Sequence, residues 1–179
     1  MSFTERLARA RTSSKLQARS WQSDGDIEYL TAAGMVQQKS RNRLGVAASR
    51  AIADDGAMAE FEKAIKAVLH KLVTKHRWKL HPKEIKLMAG HVAKFIINPN
   101  CTSCGGRGFH IEAQLITSEV CQHCKGSGFE PIPTASNMGI TRDIDQGKIE
   151  AYFKATLAAS EKALGAYLGA VKMKLGHYS

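Results

Sequence analysis

The feature that most constrains this chain is a cysteine motif that occurs twice between residues 101 and 129. The pattern C-x-x-C-x-G-x-G-F repeats with a period of 20 residues. It contains all four cysteines of the chain: Cys101, Cys104, Cys121 and Cys124. Two C-x-x-C pairs separated by 16 residues are typical of one structural zinc ion bound by four thiolates. Because four sulfurs leave no position open for water, the pattern does not favour a catalytic zinc.

Other uses of these cysteines fit the pattern less well. Two disulfides would need an oxidising compartment, and we recognise no signal peptide, so we expect reduced thiols. A thioredoxin-type redox pair would need neither the duplication nor the trailing glycines. His110 and His123 lie close enough to be considered as ligands, but we expect both to be surface residues.

The charge of the chain bears on its partners. Its 179 residues suit a single domain, and 26 Lys and Arg against 16 Asp and Glu give a net charge of +10. This excess favours a polyanionic partner such as nucleic acid. No apolar run is long enough for a membrane span, so we expect no membrane partner. Because no secretory or lipidation signal is visible, we expect the protein in the cytoplasm or with the nucleoid.

The N-terminal part differs from the rest in composition. Residues 1–24 are rich in Arg, Ser and Thr, and we expect a flexible basic arm there. Ser2-x-x-Glu5 also fits a capping box that would open a short helix. A functional arm would contact phosphates or an acidic protein surface. Residues 25–179 are predicted to form one helical domain. Its beginning, residues 26–52, has a weak helical pattern that Gly34 and Gly45 interrupt.

Two core helices precede the cysteines. Apolar residues at helical spacing predict the first helix: Phe61, Ile65, Val68, Leu69 and Leu72. Its charged outer face, which includes Lys63, Lys66, His70 and Lys71, is expected to be only solvated. Residues 76–82 are read as a connector, with Trp78 as an anchor at the edge of the core. Pro82 starts the second helix, which Asn98-Pro99-Asn100 stops.

The zinc-binding insertion is predicted to cover residues 98–131, with a small hairpin between the two cysteine loops at residues 110–120. After it, Thr134 is expected to cap a short helix that exposes Ser136, Asn137 and Arg142. Asn and Arg are the residue types that make bidentate contacts with adenine and guanine. A long helix is predicted at residues 145–175.

In this order of elements the chain resembles the phage lambda Q-type late-gene antitermination proteins. The shared features are a helix, a C-x-x-C-x-G-x-G loop, a short β segment, a second such loop, a proline and a further helix. They correspond here to residues 83–97, 101–109, 110–120, 121–129, Pro133 and the segment from Thr134 onward. Gly34-Met35-Val36-Gln37 and Leu44-Gly45-Val46-Ala47 also resemble the region before the first core helix of that family. The shorter, more basic N-terminus departs from it.

The resemblance implies a fold and a function. The fold would be mainly α, with a zinc-bound β-hairpin inserted between the helices of a helix-turn-helix-like unit. The first of these helices would be residues 82–97, and the recognition helix would begin near Thr134. The protein would bind double-stranded DNA at a late promoter and engage paused bacterial RNA polymerase with its sigma factor. It would then suppress pausing and termination.

The DNA-contacting residues implied by this mapping fall into two sets. Base or phosphate contacts are expected from Ser136, Asn137 and Arg142. Phosphate contacts are expected from Arg107, Lys125, Lys83 and Lys86.

Two other classes of function compete with this one. The C-x-x-C-x-G-x-G element is also the repeat of DnaJ-type chaperones, which carry four copies, whereas this chain has two and no J-domain signature. A zinc-dependent protein-interaction module is therefore the alternative. An enzyme such as a nuclease is not expected, since Asp54-Asp55 and Asp143-x-Asp145 fit turn and helix-start positions better than a metal-binding carboxylate cluster. A small-molecule substrate is not expected either.

Overall fold

The computed structural model describes residues 42–53, 55–112 and 115–175. The expected arm at residues 1–24 and the Gly34–Gln37 segment therefore lie outside the described residues. In chain order the elements are α1 (Arg43–Ala53), a 3-10 turn (Asp55–Ala57), α2 (Met58–His76), α3 (Pro82–Ile97), β1 (Phe109–Glu112), β2 (Leu115–Val120) and α4 (Gln146–Leu175). The prediction of a mainly helical fold with a small two-stranded sheet is confirmed.

Helices α2 and α3 form the centre of the core. α2 ends at Arg77, which takes the left-handed conformation (φ 54°) and donates its N–H to the carbonyl of Val73. α3 begins at Pro82, and the Glu84 carboxylate accepts the N–H of His81 at 2.7 Å, which fixes the first turn. The buried stripes of the two helices face one another through Phe61, Ile65, Leu69, Ile85, Met88, Val92 and Ile96.

Helix α4 packs along this core and agrees closely with the predicted range 145–175. The side chain of Asp145 accepts the N–H of Lys148 at 3.0 Å and so caps the helix. Phe153 is fully buried, with its ring edge-on to Phe95 at 5.6 Å.

Trp78 lies at the edge of this core, as predicted. Its half-buried ring stacks on Tyr152 of α4 at 4.4 Å and on His76 at 5.5 Å.

Gly45 does not interrupt a helix, contrary to the sequence prediction. It lies inside α1, where the ring of Tyr167 in α4 occupies the space that a Cβ atom would need. Asn42, which precedes α1, donates its side-chain amide to the carbonyl of Ala163 at 2.6 Å. The glycine therefore allows α1 and α4 to approach closely.

The short helix predicted after Thr134 is a single turn. The hydroxyl of Thr134 accepts the N–H of Asn137 at 3.3 Å, as a helix cap would. Gly139 then takes φ 77°, and the N–H of Ile140 donates to the carbonyl of Ala135 at 2.9 Å, which closes the turn in the manner of a helix C-terminus. The prediction of a recognition helix beginning near Thr134 was wrong, because the left-handed Gly139 ends the segment after one turn and, in this described part of the chain, no helix forms between that turn and α4.

Within the described ranges, no helix combines the length and apolar character needed to cross a membrane.

Candidate metal centre

The four cysteine sulfurs converge on one point. The Sγ atoms of Cys101 and Cys121 are 3.9 Å apart, those of Cys104 and Cys124 are 3.8 Å apart, and all four lie within 4.8 Å of one another. A tetrahedral ion with metal–sulfur bonds of about 2.3 Å requires sulfurs about 3.8 Å apart. A disulfide would bring two sulfurs to about 2.05 Å. The four side chains are buried and unbridged, so their arrangement fits a single tetrahedral metal ion.

Each loop also directs backbone hydrogen bonds at its sulfurs. The N–H of Gly108 donates to the Sγ atom of Cys104 at 3.2 Å, and the N–H of Gly128 donates to the Sγ atom of Cys124 at 3.3 Å. Such bonds favour the charged thiolate, which is the form that binds a metal.

The two loops are related by an approximate twofold axis. The N–H of Cys101 donates to the carbonyl of Gly128 at 2.8 Å, and the N–H of Cys121 donates to the carbonyl of Gly108 at 2.9 Å. The flanking residues pair in the same way, Asn100 with Phe129 and Phe109 with Val120. The sequence repeat is therefore also a structural repeat, in which each half completes the other.

This symmetry explains the glycines at the end of each motif. A Cβ atom on Gly108 (φ 81°) would lie 2.5 Å from the carbonyl oxygen of Gly126. A Cβ atom on Gly128 (φ 74°) would lie equally close to the carbonyl oxygen of Gly106. At both positions the backbones touch directly, so a side chain is excluded.

The sulfurs differ electrostatically in the absence of a cation. A hydrogen bond from the backbone N–H of Cys124 lowers the pKa of Cys121 to about 5, whereas burial raises the pKa of Cys101 to about 11. Four thiolates this close together would repel one another. A divalent cation removes that repulsion, so the sulfur set favours a bound metal ion.

His123 and Glu130 form a strap across the two loops. The Nε2 atom of His123 lies 2.9 Å from one carboxylate oxygen of Glu130. The other carboxylate oxygen accepts the backbone N–H of Thr102 at 2.9 Å and its hydroxyl at 3.2 Å. Cys101, His123 and Glu130 are also close enough to hold an ion, but Cys101 belongs to the four-sulfur set. His123 is exposed, as expected, whereas His110 is half-buried in β1 opposite Glu119.

The residues predicted to contact DNA lie in two places. Arg107 and Lys125 are exposed on the metal-binding loops, where the guanidinium of Arg107 donates to the carbonyl of Cys104 at 3.1 Å. The second set lies around α3: Lys83 and Lys86 on its first turns, Arg142 beside them, and Ser136 and Asn137 on the turn after Thr134. Lys83, Lys86, Ser136 and Asn137 are exposed.

Arg142 has a role that the sequence did not indicate. Its guanidinium donates to the carboxylate of Glu84 at 2.9 Å and to the backbone carbonyl of Lys79. Glu84 is buried at 7% exposure, so this ion pair joins the segment after the metal loops to the start of α3. The two partners are 58 residues apart, and no local signal in the sequence links them.

A cleft of about 690 Å³ separates α3 from the metal-binding loops and the segment that follows them. Asn137 lines it together with His91, Lys94 and Asn98 of the α3 side and Thr102 of the first loop. Of the predicted DNA-contacting residues, Asn137 is the one that lines this cleft.

Charge is distributed unevenly between the two regions. Residues 98–131 contain two Lys and Arg against three Glu. Residues 63–97 contain nine Lys and Arg against one acid, Glu84. From the sequence, part of residues 63–97 was predicted to be a solvated helix face and part a connector. The net charge along the chain would have revealed that positive charge is concentrated there.

Comparisons of the chain with protein families, with curated proteins and with solved structures give no match.

Proposed function

We propose that this protein is a phage or prophage late-gene transcription antiterminator that binds double-stranded DNA at a late promoter. It loads onto paused bacterial RNA polymerase with its sigma factor and suppresses pausing and termination. It works in the bacterial cytoplasm, within the transcription complex, and not as an enzyme. The proposal rests on the motif order that it shares with the lambda Q-type proteins, and on how the metal-binding insertion is attached to α3.

The attachment of the insertion to α3 is the observation that carries the proposal. The chain leaves the end of α3 into the first loop and returns beside it, where the N–H of Glu130 donates to the carbonyl of Pro99 at 2.8 Å. It then runs back to the beginning of α3, where the Arg142–Glu84 pair fixes it. The turn bearing Ser136 and Asn137 is thereby held beside α3, and this fixed position supports a role for the turn in contacting DNA.

Zinc is the metal that this site would hold. Four thiolates in a closed tetrahedral set are the donors of structural zinc sites, and the site has no open position for a substrate. The ion would link the segment that leaves α3 to the segment that returns to it, and so form one rigid loop. Its role would be to fix the orientation of the turn relative to α3.

Among the proposed DNA contacts, Asn137 and Ser136 are both exposed on the turn, and the hydroxyl of Ser136 lies 3.0 Å from that of Thr134. Arg142 is placed to position that turn through Glu84. Lys83 and Lys86 would contact phosphates, and Arg107 and Lys125 could add contacts from the metal-binding loops.

A run-off transcription assay past a terminator tests the proposal. It would use bacterial RNA polymerase holoenzyme and a set of phage late-promoter templates with promoter-proximal pauses. We expect the protein to raise readthrough on at least one template, and Asn137→Ala to abolish the gain. Gln122→Ala, an exposed amide on a metal-binding loop, is the matched control and should retain it. No readthrough on any template, together with no binding to the promoter DNA, would rule the function out.

A second function has one observation in its favour. On the metal-binding loops Phe109, Val120 and Phe129 expose 39%, 56% and 40% of their surface. Exposed apolar side chains of this kind also fit a zinc-dependent protein-interaction module. That function predicts capture of an unfolded polypeptide, abolished in a Phe109→Ala/Phe129→Ala variant, and indifference to DNA.

A further inference from the structure

Six cations surround the junction of α2 and α3, and we call this surface the basic corner. They are Lys71, Lys75, Arg77, Lys79, Lys83 and Lys86. All six are exposed. At a helical rise of about 1.5 Å per residue, each lies within about 8 Å of helix length from the connector between the two helices. The connector thus brings them to one end of the α2–α3 pair.

The two helices and the connector of the basic corner carry little acid of their own. Glu84 is the one acid between residues 63 and 97, and it is buried and bound to Arg142. Among the described residues, none of the six cations forms an ion pair. Clustered like charges repel one another, so binding of an anionic partner would stabilise this surface.

Two of the cations occupy positions where the fold would favour another residue. Arg77 takes φ 54°, a conformation that glycine adopts without the steric cost that a side chain brings. Lys83 is the second residue of α3, where the positive end of the helix dipole opposes a positive side chain. Lys75 is different, because it lies in the last turn of α2 and there complements the dipole. Stability of the fold therefore accounts for Lys75 but not for Arg77 or Lys83.

The aromatic residue of the corner is not free to stack on a base. Trp78 is half-buried, and its ring stacks on both Tyr152 and His76. Proteins that bind single strands combine cations with exposed aromatic platforms. His76 is exposed, but its ring already stacks on Trp78. A surface on which cations predominate fits the regularly spaced phosphates of a duplex instead.

We infer that the basic corner is the main phosphate-contacting surface of this protein for double-stranded DNA. This inference rests on the proposed function and assigns most of the non-specific affinity to one surface. It extends the contacts of Lys83 and Lys86 to the connector and to the end of α2. The metal-binding loops contribute less, because their cations are outnumbered by acids and a zinc ion with four thiolates keeps a net charge of −2.

Fluorescence anisotropy with a random-sequence duplex of about 25 base pairs, titrated over a range of salt concentrations, tests this inference. Removal of one cation that neutralises a phosphate should reduce the slope of log affinity against log salt by about 0.9. We expect that reduction, and about five- to tenfold weaker binding at 0.1 M salt, for Arg77→Gly and for Lys83→Ala. Both variants should keep or raise the thermal midpoint, since each removes an unfavourable feature of the fold.

Charge-conserving variants separate charge from shape. Arg77→Lys and Lys83→Arg should bind with the slope of the parent protein. Lys162→Ala, which removes an exposed cation from α4, should also retain that slope.

The outcomes distinguish the inference from the function on which it rests. A parent protein that binds no duplex contradicts the proposed function. A parent that binds while Arg77→Gly and Lys83→Ala keep its slope contradicts the basic corner alone. Tighter binding to a single strand of the same length than to the duplex contradicts the assigned partner.

Discussion

The helical core and the metal-binding insertion, residues 98–131, are stabilised by different means. In the core the largest side chains are buried, with Phe61, Phe153 and Met88 fully enclosed. In the insertion the large apolar side chains Phe109 and Phe129 are partly exposed, and the buried cluster consists of the four cysteines. The core is therefore held by apolar burial, whereas the insertion is held by backbone hydrogen bonds around a cysteine cluster that could bind a metal ion.

The largest expected effect is the response to metal removal. Apparent zinc-binding energies of small modules are about 10–16 kcal/mol, and in the insertion the large side chains Phe109 and Phe129 are only partly buried. Treatment with a chelator, or Cys104→Ser, should remove hydrogen-exchange protection from residues 98–131 while α2 and α3 keep theirs. Loss of protection in α2 and α3 to the same extent would show that the two regions do not differ in this way.

A pair of Phe→Ala variants compares the contribution of apolar burial to stability in the core and in the insertion. Phe153 is fully buried, so Phe153→Ala should cost about 3–5 kcal/mol and lower the thermal midpoint by roughly 10 °C. Phe129 is 40% exposed, so Phe129→Ala should cost less than about 1 kcal/mol. Thermal unfolding of the metal-loaded variants measures both. Equal costs would place an apolar core in the insertion as well.

Substitution of two glycines in the insertion distinguishes the cost of a steric contact from the cost of a left-handed backbone conformation. At Gly105 (φ 62°) an added Cβ atom meets nothing within 4 Å, so Gly105→Ala should cost only the left-handed strain, about 1–2 kcal/mol. At Gly108 it would meet the carbonyl oxygen of Gly126 at 2.5 Å, so Gly108→Ala should cost about 3 kcal/mol. Competition with a chromophoric chelator should then show metal affinity reduced about tenfold or more for Gly105→Ala and about a hundredfold for Gly108→Ala. A reversed order would contradict the twofold packing of the loops.

The smallest expected effect concerns His91, on the face of α3 that lines the cleft. Burial and the charge of Lys94 lower the pKa of His91 below 6.5, against an opposing contribution from Glu62. The unfolded chain therefore takes up this proton first as the pH falls. The stabilising contribution is complete above pH 6.5 and is lost as the pH falls through the pKa of the folded protein. Urea unfolding between pH 7.5 and 6.0 should show a decline that His91→Gln reduces; an identical decline in the variant would exclude His91 as its source.

Much of the fold was predictable because its signals are local. Pro82 and Asn98-Pro99 delimit α3, and the repeated cysteine motif predicted both the sulfur cluster and the hairpin between its loops. Helix α4 follows from its apolar period and from Asp145 as its cap.

The features that the sequence did not reveal depend on contacts between distant segments. Gly45 reads as a helix breaker until Tyr167 is known to lie against it. Arg142 reads as a free cation until Glu84 is known to bind it. A helix was predicted after Thr134 for a different reason. The residues before Gly139 do not indicate that this glycine adopts the left-handed conformation, which ends the segment after one turn.

The central claim is that one zinc ion, bound by four thiolates, holds the insertion in place. Native mass spectrometry of the protein purified without added chelator measures this most directly. We predict a mass equal to the chain plus one zinc ion, and four thiols that become reactive once the metal is removed. A mass with two zinc ions per chain would contradict the claim. So would a metal-free chain whose mass shows that two disulfides have formed.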